Sequence, residues 1–187
     1  MKEIRPKEIR SAENTFSYVK HFIKPSDEVL DVGSGTGLVA DLIQRNITKK
    51  IRCIDVIDIN SSSVPLTIYD GKYIPFPDGT FDVVLCAFVL HHMTDQEILI
   101  KEMMRTSRSK IIILEDTPQN IIDRLFNLNH ALTSKIKYKS GKMKFRSSEE
   151  WQKFFKDLGL TVEKIVEISK DRDPFYPTNR RVYILKK

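Results

Sequence analysis

Four acids and a pair of histidines in this chain have side chains that could grip a ligand or move a proton: Asp31, Asp55, Asp70, Glu115, His91 and His92. Asp31 lies in the apolar run Val29-Leu30-Asp31-Val32, which leads into Gly33-Ser34-Gly35-Thr36-Gly37. Glycines at every second position let the backbone turn sharply and let a ligand lie against main-chain amides. A carboxylate just ahead of the turn repels a pyrophosphate but suits a ligand with a positively charged amino-acid end. The dinucleotide pattern G-x-G-x-x-G wants Gly or Ala where this chain has Leu38, which disfavours a nicotinamide-dependent oxidoreductase. His91 and His92 follow a second apolar run, and a neutral imidazole can accept a proton near pH 7. Neighbours on an extended chain point to opposite faces, and no Cys/His partner stands at ligand spacing, so no metal site is expected. Glu115 closes a third apolar run, where it could orient or deprotonate a substrate or cap the helix expected after it.

The elements that position these groups follow from periodicity. Short apolar runs at 28–32, 51–55, 66–69, 81–89, 110–115, 161–168 and 180–186 read as strands. Helical patterns cover about 8–23, 37–46, 95–107, 118–133 and 148–158. Alternation of the two kinds predicts βαβ units and an α/β fold with a mostly parallel sheet. The runs at 81–89 and 110–115 are almost wholly apolar, as strands buried on both faces are. Thr94-Asp95-Gln96-Glu97 and Ser147-Ser148-Glu149-Glu150 read as capping boxes. Only about ten residues separate the second and third strands, too few for a crossover helix.

D-x-G-x-G-x-G on a strand–turn–helix resembles the first motif of the class I S-adenosylmethionine-dependent methyltransferases. Two further segments carry the resemblance. Ile51-Arg52-Cys53-Ile54-Asp55 ends a second strand in an acid, and Asp70 to Asp82 holds Ile74-Pro75-Phe76-Pro77-Asp78-Gly79-Thr80-Phe81-Asp82. The likeness covers about residues 8–187 and is greatest to the small-molecule, ubiquinone/menaquinone-methyltransferase-like branch. It implies a Rossmann-like, seven-stranded, mostly parallel sheet with an antiparallel last strand and helices on both faces. It implies S-adenosylmethionine as cofactor, held by Asp31, Gly33, Ser34, Gly35 and Gly37. Asp55 (with Asp58 as the alternative) would take the ribose hydroxyls, and Asp70 and Gly71 the adenine edge. His91, His92 and Glu115 become the candidate catalytic residues.

A single domain over 1–187 is expected, with an insertion at about 118–147 serving as lid or substrate site. Within it, 135–146 carries six cations, no acid and interleaved aromatics, which suits a solvated face or a polyanion clamp. A small-molecule acceptor is the leading expectation. An RNA or protein methyltransferase using the basic segment, and a non-catalytic cofactor-binding partner module, are the alternatives. The charged N-terminus is no signal peptide, and no run reaches the length of a membrane span. Cys53 and Cys86 sit in apolar runs, which suits reduced, buried thiols and a cytoplasmic location.

Overall fold

A computed structural model describes residues 4–118, 123, 143–168 and 179–187. The chain order is α1 (Pro6–Val19), a 3-10 turn (Lys20–Phe22), β1 (Val29–Val32), α2 (Leu38–Asn46), β2 (Ile51–Asp55), β3 (Leu66–Ile68) and β4 (Phe81–Ala87). A second 3-10 turn (Leu90–His92), α3 (Gln96–Thr106), β5 (Ser107–Asp116), α4 (Ser148–Asp157), β6 (Thr161–Ile168) and β7 (Arg180–Lys186) follow. Seven strands form one sheet in the order β3-β2-β1-β4-β5-β7-β6. β7 runs antiparallel to both β5 and β6, and the other pairings are parallel. Both α/β architecture and the antiparallel last strand match the expectation.

Side chains alternate across each strand, and the two faces have separate cores. Leu30, Val84, Cys86, Ile111, Ile113 and Tyr183 meet Leu99, Ile100 and Met103 of α3 and Trp151 and Phe155 of α4. Val29, Cys53, Val83, Leu85, Ile112 and Ile184 meet Val19 of α1 and Ala40 and Ile43 of α2. The same parity holds for the acids at or near the strand ends. Asp31, Asp55 and Asp116 therefore project to the α1/α2 face, whereas Glu115 projects to the α3 face. Three of the acids share one side of the sheet for that reason alone.

Several expectations needed correction. Strand β4 stops at Ala87 rather than 89, because Phe88 turns to φ 59 and the chain enters a 3-10 turn. The cap of α3 is Asp95, whose side chain accepts from the Ile98 N–H, one residue later than the expected Thr94. The box at Ser147 is as expected: its hydroxyl accepts from the Glu150 N–H at 3.2 Å, and the Ser147 N–H donates to Glu150 at 2.6 Å. β2 and β3 are joined by a loop without a helix. Hydrogen bonds within and around the loop order it, and Val64 anchors it in the core on the α1/α2 face. Asn60 donates to the Val64 carbonyl and accepts from the Ser62 N–H, and the Ser61 N–H reaches the Thr36 carbonyl at 2.9 Å. The loop is thereby tied to the glycine turn. Both cysteines are buried with free thiols, and burial pushes each thiol's pKa up. The expected helix over 118–133 and most of the 118–147 insertion lie outside the described residues.

Candidate active site

A cleft of about 1040 Å³ opens where β1, β2, β4 and β5 end, with α1 as a wall. Doubly wound sheets place ligands at this edge. Gly33, Ser34, Gly35 and Thr36 line it from the first turn, Asp55 from β2, Asp70 and Gly71 from the following turn, and His91 and His92 from the second 3-10 turn.

The glycine turn is built for close approach. Gly33 has φ 69, and a Cβ there would lie 2.3 Å from Cγ2 of Val89. Gly33→Ala is therefore expected to cost roughly 2–4 kcal/mol from the left-handed backbone and the overlap together. Urea unfolding of Gly33→Ala and of Gly33→Ala/Val89→Ala checks it, since removing the Val89 methyls should restore part of the loss. Beside Gly35 nothing lies within 4 Å, which leaves room for a ligand against the main chain. Gly37 does not line the cleft. Its α-carbon is closed in by Asn60 and Ser62, where a Cβ would sit 2.4 Å from an oxygen of each. The third glycine thus seats the β2–β3 loop rather than a ligand.

The acids differ in state. Asp31 is 3% exposed and is not itself among the residues lining the cleft; it lies behind the glycine turn, and its Oδ2 has no hydrogen-bond partner among the described residues. Burial first, and then the charge of Asp55, raise its pKa to about 7. The Ser34 hydroxyl is likewise buried without a partner among the described residues. Asp55 accepts from the Gly35 N–H at 2.8 Å through Oδ2 and from the Val56 N–H at 2.7 Å through Oδ1. A carboxylate keeps further lone pairs for hydroxyl donors. Asp58 is exposed, accepts from the Asn60 N–H, and is not among the residues lining the cleft. Asp70 organises its own turn by accepting from the Tyr73 and Lys72 N–H groups, both at 2.8 Å. Those two bonds hold its carboxyl below the usual carboxylate range.

The histidines do not point to opposite faces, because they lie in a 3-10 turn instead of a strand. Their ring centroids are 4.2 Å apart. His91 Nδ1 meets Glu115 Oε2 at 2.6 Å, and Glu115 Oε1 accepts from the Leu90 N–H at 2.7 Å. Glu115 is fully buried and is not among the residues lining the cleft, so it reaches the site only through His91. Through Leu90 it accepts from the first N–H of the 3-10 turn, and the helix expected after it lies outside the described residues. Burial works against the charged form of His91, but Glu115, with help from Asp116, outweighs it and the pKa is raised. Phe145 stacks on His91 with centroids 4.9 Å apart. Gln96 straps this region together, donating to the carbonyls of Leu90 and Lys144 and accepting from Arg146.

Several lining residues do not stand out in the sequence. Lys7, Ser11, Asn14 and Tyr18 present one stripe of α1 to the cleft, and Asp116, Arg180 and Phe88 line another part. The heptad-like spacing of Lys7, Ser11, Asn14 and Tyr18 is the one signal that could have found the stripe. Of the basic segment, only Lys144 and Arg146 are described together with Met143 and Phe145. Arg146 is committed to Gln96 and to the face of Phe154, 4.0 Å away.

A family profile described as "Methyltransferase domain" matches residues 1–165. The chain belongs to the methyltransferase domain family. Among curated relatives, the ubiquinone/menaquinone biosynthesis C-methyltransferase UbiE of Laribacter hongkongensis is 33% identical over 118 residues, 51% of this chain and 48% of that protein. The chain spans about half the length of the curated relatives it matches. Among solved structures, an S-adenosylmethionine-dependent methyltransferase from Aquifex aeolicus superposes with a TM-score of 0.66 at 18% identity, covering 98% of this chain and 99% of that one. The magnesium protoporphyrin IX methyltransferase of Synechocystis, solved with S-adenosylhomocysteine, gives 0.67 at 12% identity, covering 100% and 90%. These structures share the fold of this methyltransferase. The cofactor named for the Aquifex aeolicus protein is S-adenosylmethionine.

The residues present fit that cofactor. A buried carboxylate oxygen without a partner among the described residues suits an ammonium, and open main chain at Gly35 suits close contact. Among the described residues no helix is long and apolar enough to cross a membrane.

Proposed function

We propose that this methyltransferase modifies a small planar acceptor of the hydroquinone class, with His91 as general base. The observation that carries the reading is the buried His91–Glu115 pair, whose histidine is among the residues lining the cleft. When bound, S-adenosylmethionine supplies an activated methyl group on a sulfonium, so the leaving group needs no help. What this chain adds is alignment, which contributes about 7–11 kcal/mol in well-oriented reactions, and removal of one proton from the acceptor.

Asp31 holds the amino-acid end, Asp55 the ribose hydroxyls, and the turn at Asp70 and Gly71 the base. Glu115 fixes a hydrogen on Nδ1 of His91, so the acceptor's proton passes to Nε2. A phenolic hydroxyl gives up its proton there, and its ring carbon or oxygen becomes the nucleophile. The quinone biosynthesis named for the UbiE relatives supports this class. A nucleic-acid acceptor has less support, since Arg146 of the basic run is engaged by Gln96 and Phe154.

Methyl-labelled S-adenosylmethionine, incubated with the protein and either reduced naphthoquinones or bulk RNA, tests the reading. Label is expected in the organic-extractable quinol and to fall at least about 100-fold in His91→Asn. Label appearing only in RNA, or undiminished quinol labelling by His91→Asn, would overturn it.

A further inference from the structure

Phe88 is the only non-glycine among the described residues with positive φ. A bulky aromatic rarely adopts that conformation, and strain of this kind collects at ligand sites. Its N–H is pinned to the Leu114 carbonyl at 2.8 Å, so the ring is held where the chain leaves β4 for the histidine turn. The Arg180 guanidinium lies over that ring, 5.2 Å from the centroid. Arg180 comes from the start of β7, directly opposite Asp116 on β5, and its Nε donates to Asp116 Oδ1 at 3.1 Å. Asp116 is 3% exposed, so the anchor is fixed. Phe88, Arg180, Asp116 and His91 all line the same cleft.

We propose that Phe88 and Arg180 form the acceptor shelf: the Arg180 guanidinium, backed by the Phe88 ring that it lies over, takes a planar ring carrying an anionic oxygen. The proposal rests on the methyl-transfer reading and narrows its substrate class. Phe88 backs the guanidinium from beneath through a cation–π contact. Arg180 supplies a planar cation, which stacks on rings and stabilises an oxyanion as lysine does not. Asp116 holds the Nε edge and so fixes the plane of the guanidinium. An acceptor that loses its proton to His91 becomes an oxyanion beside this cation. Arg180 is then felt at His91 too, where it opposes the charged imidazole while Glu115 and Asp116 favour it.

Two probes of matched shape separate the roles. 2-Hydroxy-1,4-naphthoquinone is ionised at neutral pH, and 2-methoxy-1,4-naphthoquinone is neutral. Their binding to the full chain is measured by fluorescence quenching, with and without S-adenosylhomocysteine. The wild type should prefer the ionised probe by about tenfold or more, as a charge-assisted contact allows. Arg180→Met should shrink that preference to within about twofold, and Phe88→Asn, which tolerates positive φ, should weaken both probes alike. Should Arg180→Met fail to fold with Asp116 unpaired, Arg180→Met/Asp116→Asn carries the same expectation. Equal binding of the two probes by the wild type, no binding of either, or a preference that survives Arg180→Met overturns the shelf. Preference for the ionised probe without any S-adenosylhomocysteine binding would leave the shelf standing and remove the methyl-transfer reading.

Discussion

Asp31→Asn should make the ligand-free protein more stable at pH 8 while weakening S-adenosylmethionine binding by about 100-fold or more. The two effects share one cause. Burial and the neighbouring charge of Asp55 raise the Asp31 pKa to about 7, whereas the unfolded chain ionises it in the usual carboxylate range. Between those values the unfolded state has released a proton that the folded state keeps, so folding loses stability as pH rises. Above about pH 7 both states are ionised and the cost is complete. Every tenfold difference in proton affinity between the two states is worth about 1.4 kcal/mol. The asparagine amide is itself buried and must find partners, which reduces the gain. A net of roughly 1–3 kcal/mol, or about 3–9 °C in Tm, is expected at pH 8. The advantage should fade as pH falls towards 4. Thermal scans across that range check the stability, and calorimetry checks the ligand. A charge-assisted contact to an ammonium is lost, worth about 3 kcal/mol when the partner stays buried. Wild-type binding near pH 6 should also release protons, seen as a dependence of the heat on buffer ionisation. An unchanged Tm at pH 8 together with unchanged affinity would mean that Asp31 neither strains the empty protein nor grips the ammonium.

Glu115→Gln is expected to lower kcat by about 100- to 1000-fold with little change in the cofactor's Kd. The carboxylate accepts two hydrogen bonds, from the Leu90 N–H and at His91 Nδ1. An amide offers one acceptor oxygen and turns its NH2 towards the other group. If the oxygen stays with Leu90, His91 must accept at Nδ1, its hydrogen moves to Nε2, and the base is gone. The pH profile distinguishes this from a folding defect. Glu115 raises the His91 pKa against the opposing effect of burial, so the acidic limb of kcat should shift to lower pH in the variant. The stability loss, roughly 2–4 kcal/mol, has a matching pH dependence. A raised imidazole pKa stabilises the fold fully below its unfolded value, and that contribution disappears as pH rises through the folded value. The loss should therefore be largest in acid and smaller in alkali. An unshifted limb with a lower plateau would assign Glu115 to structure alone.

Particular residues show why some of this is legible in sequence and some is not. Phe81–Ala87 and Ser107–Asp116 carry apolar runs whose length and content already mark central strands. Asp31, Gly33 and Asp55 are local to strand ends, so their places follow from elements nearby in sequence. Glu115 leaves two readings open because its partner, His91, is 24 residues away, and local pattern cannot register β5 against the turn after β4. The histidine pair departs from expectation for a backbone reason. An extended chain would separate the rings, but the positive φ at Phe88 starts a turn that brings them together. Arg180 and Asp116 meet across 64 residues, and the stripe on α1 becomes a cleft wall only through the docking of that helix. Thr94 and Asp95 are both good caps, and nothing local ranks them.

The place of β7 has a consequence for synthesis. It is made after the other six strands of this sheet, yet it sits between β5 and β6. While the nascent chain is still on the ribosome, β5 offers an unpaired edge rich in Ile and Leu, the kind of edge that recruits other chains. Arg180 and Arg181 arrive at the start of this same strand. A stop codon before them would leave both an adhesive sheet and a cleft without Arg180, so premature termination should yield aggregates rather than a weakly active fragment.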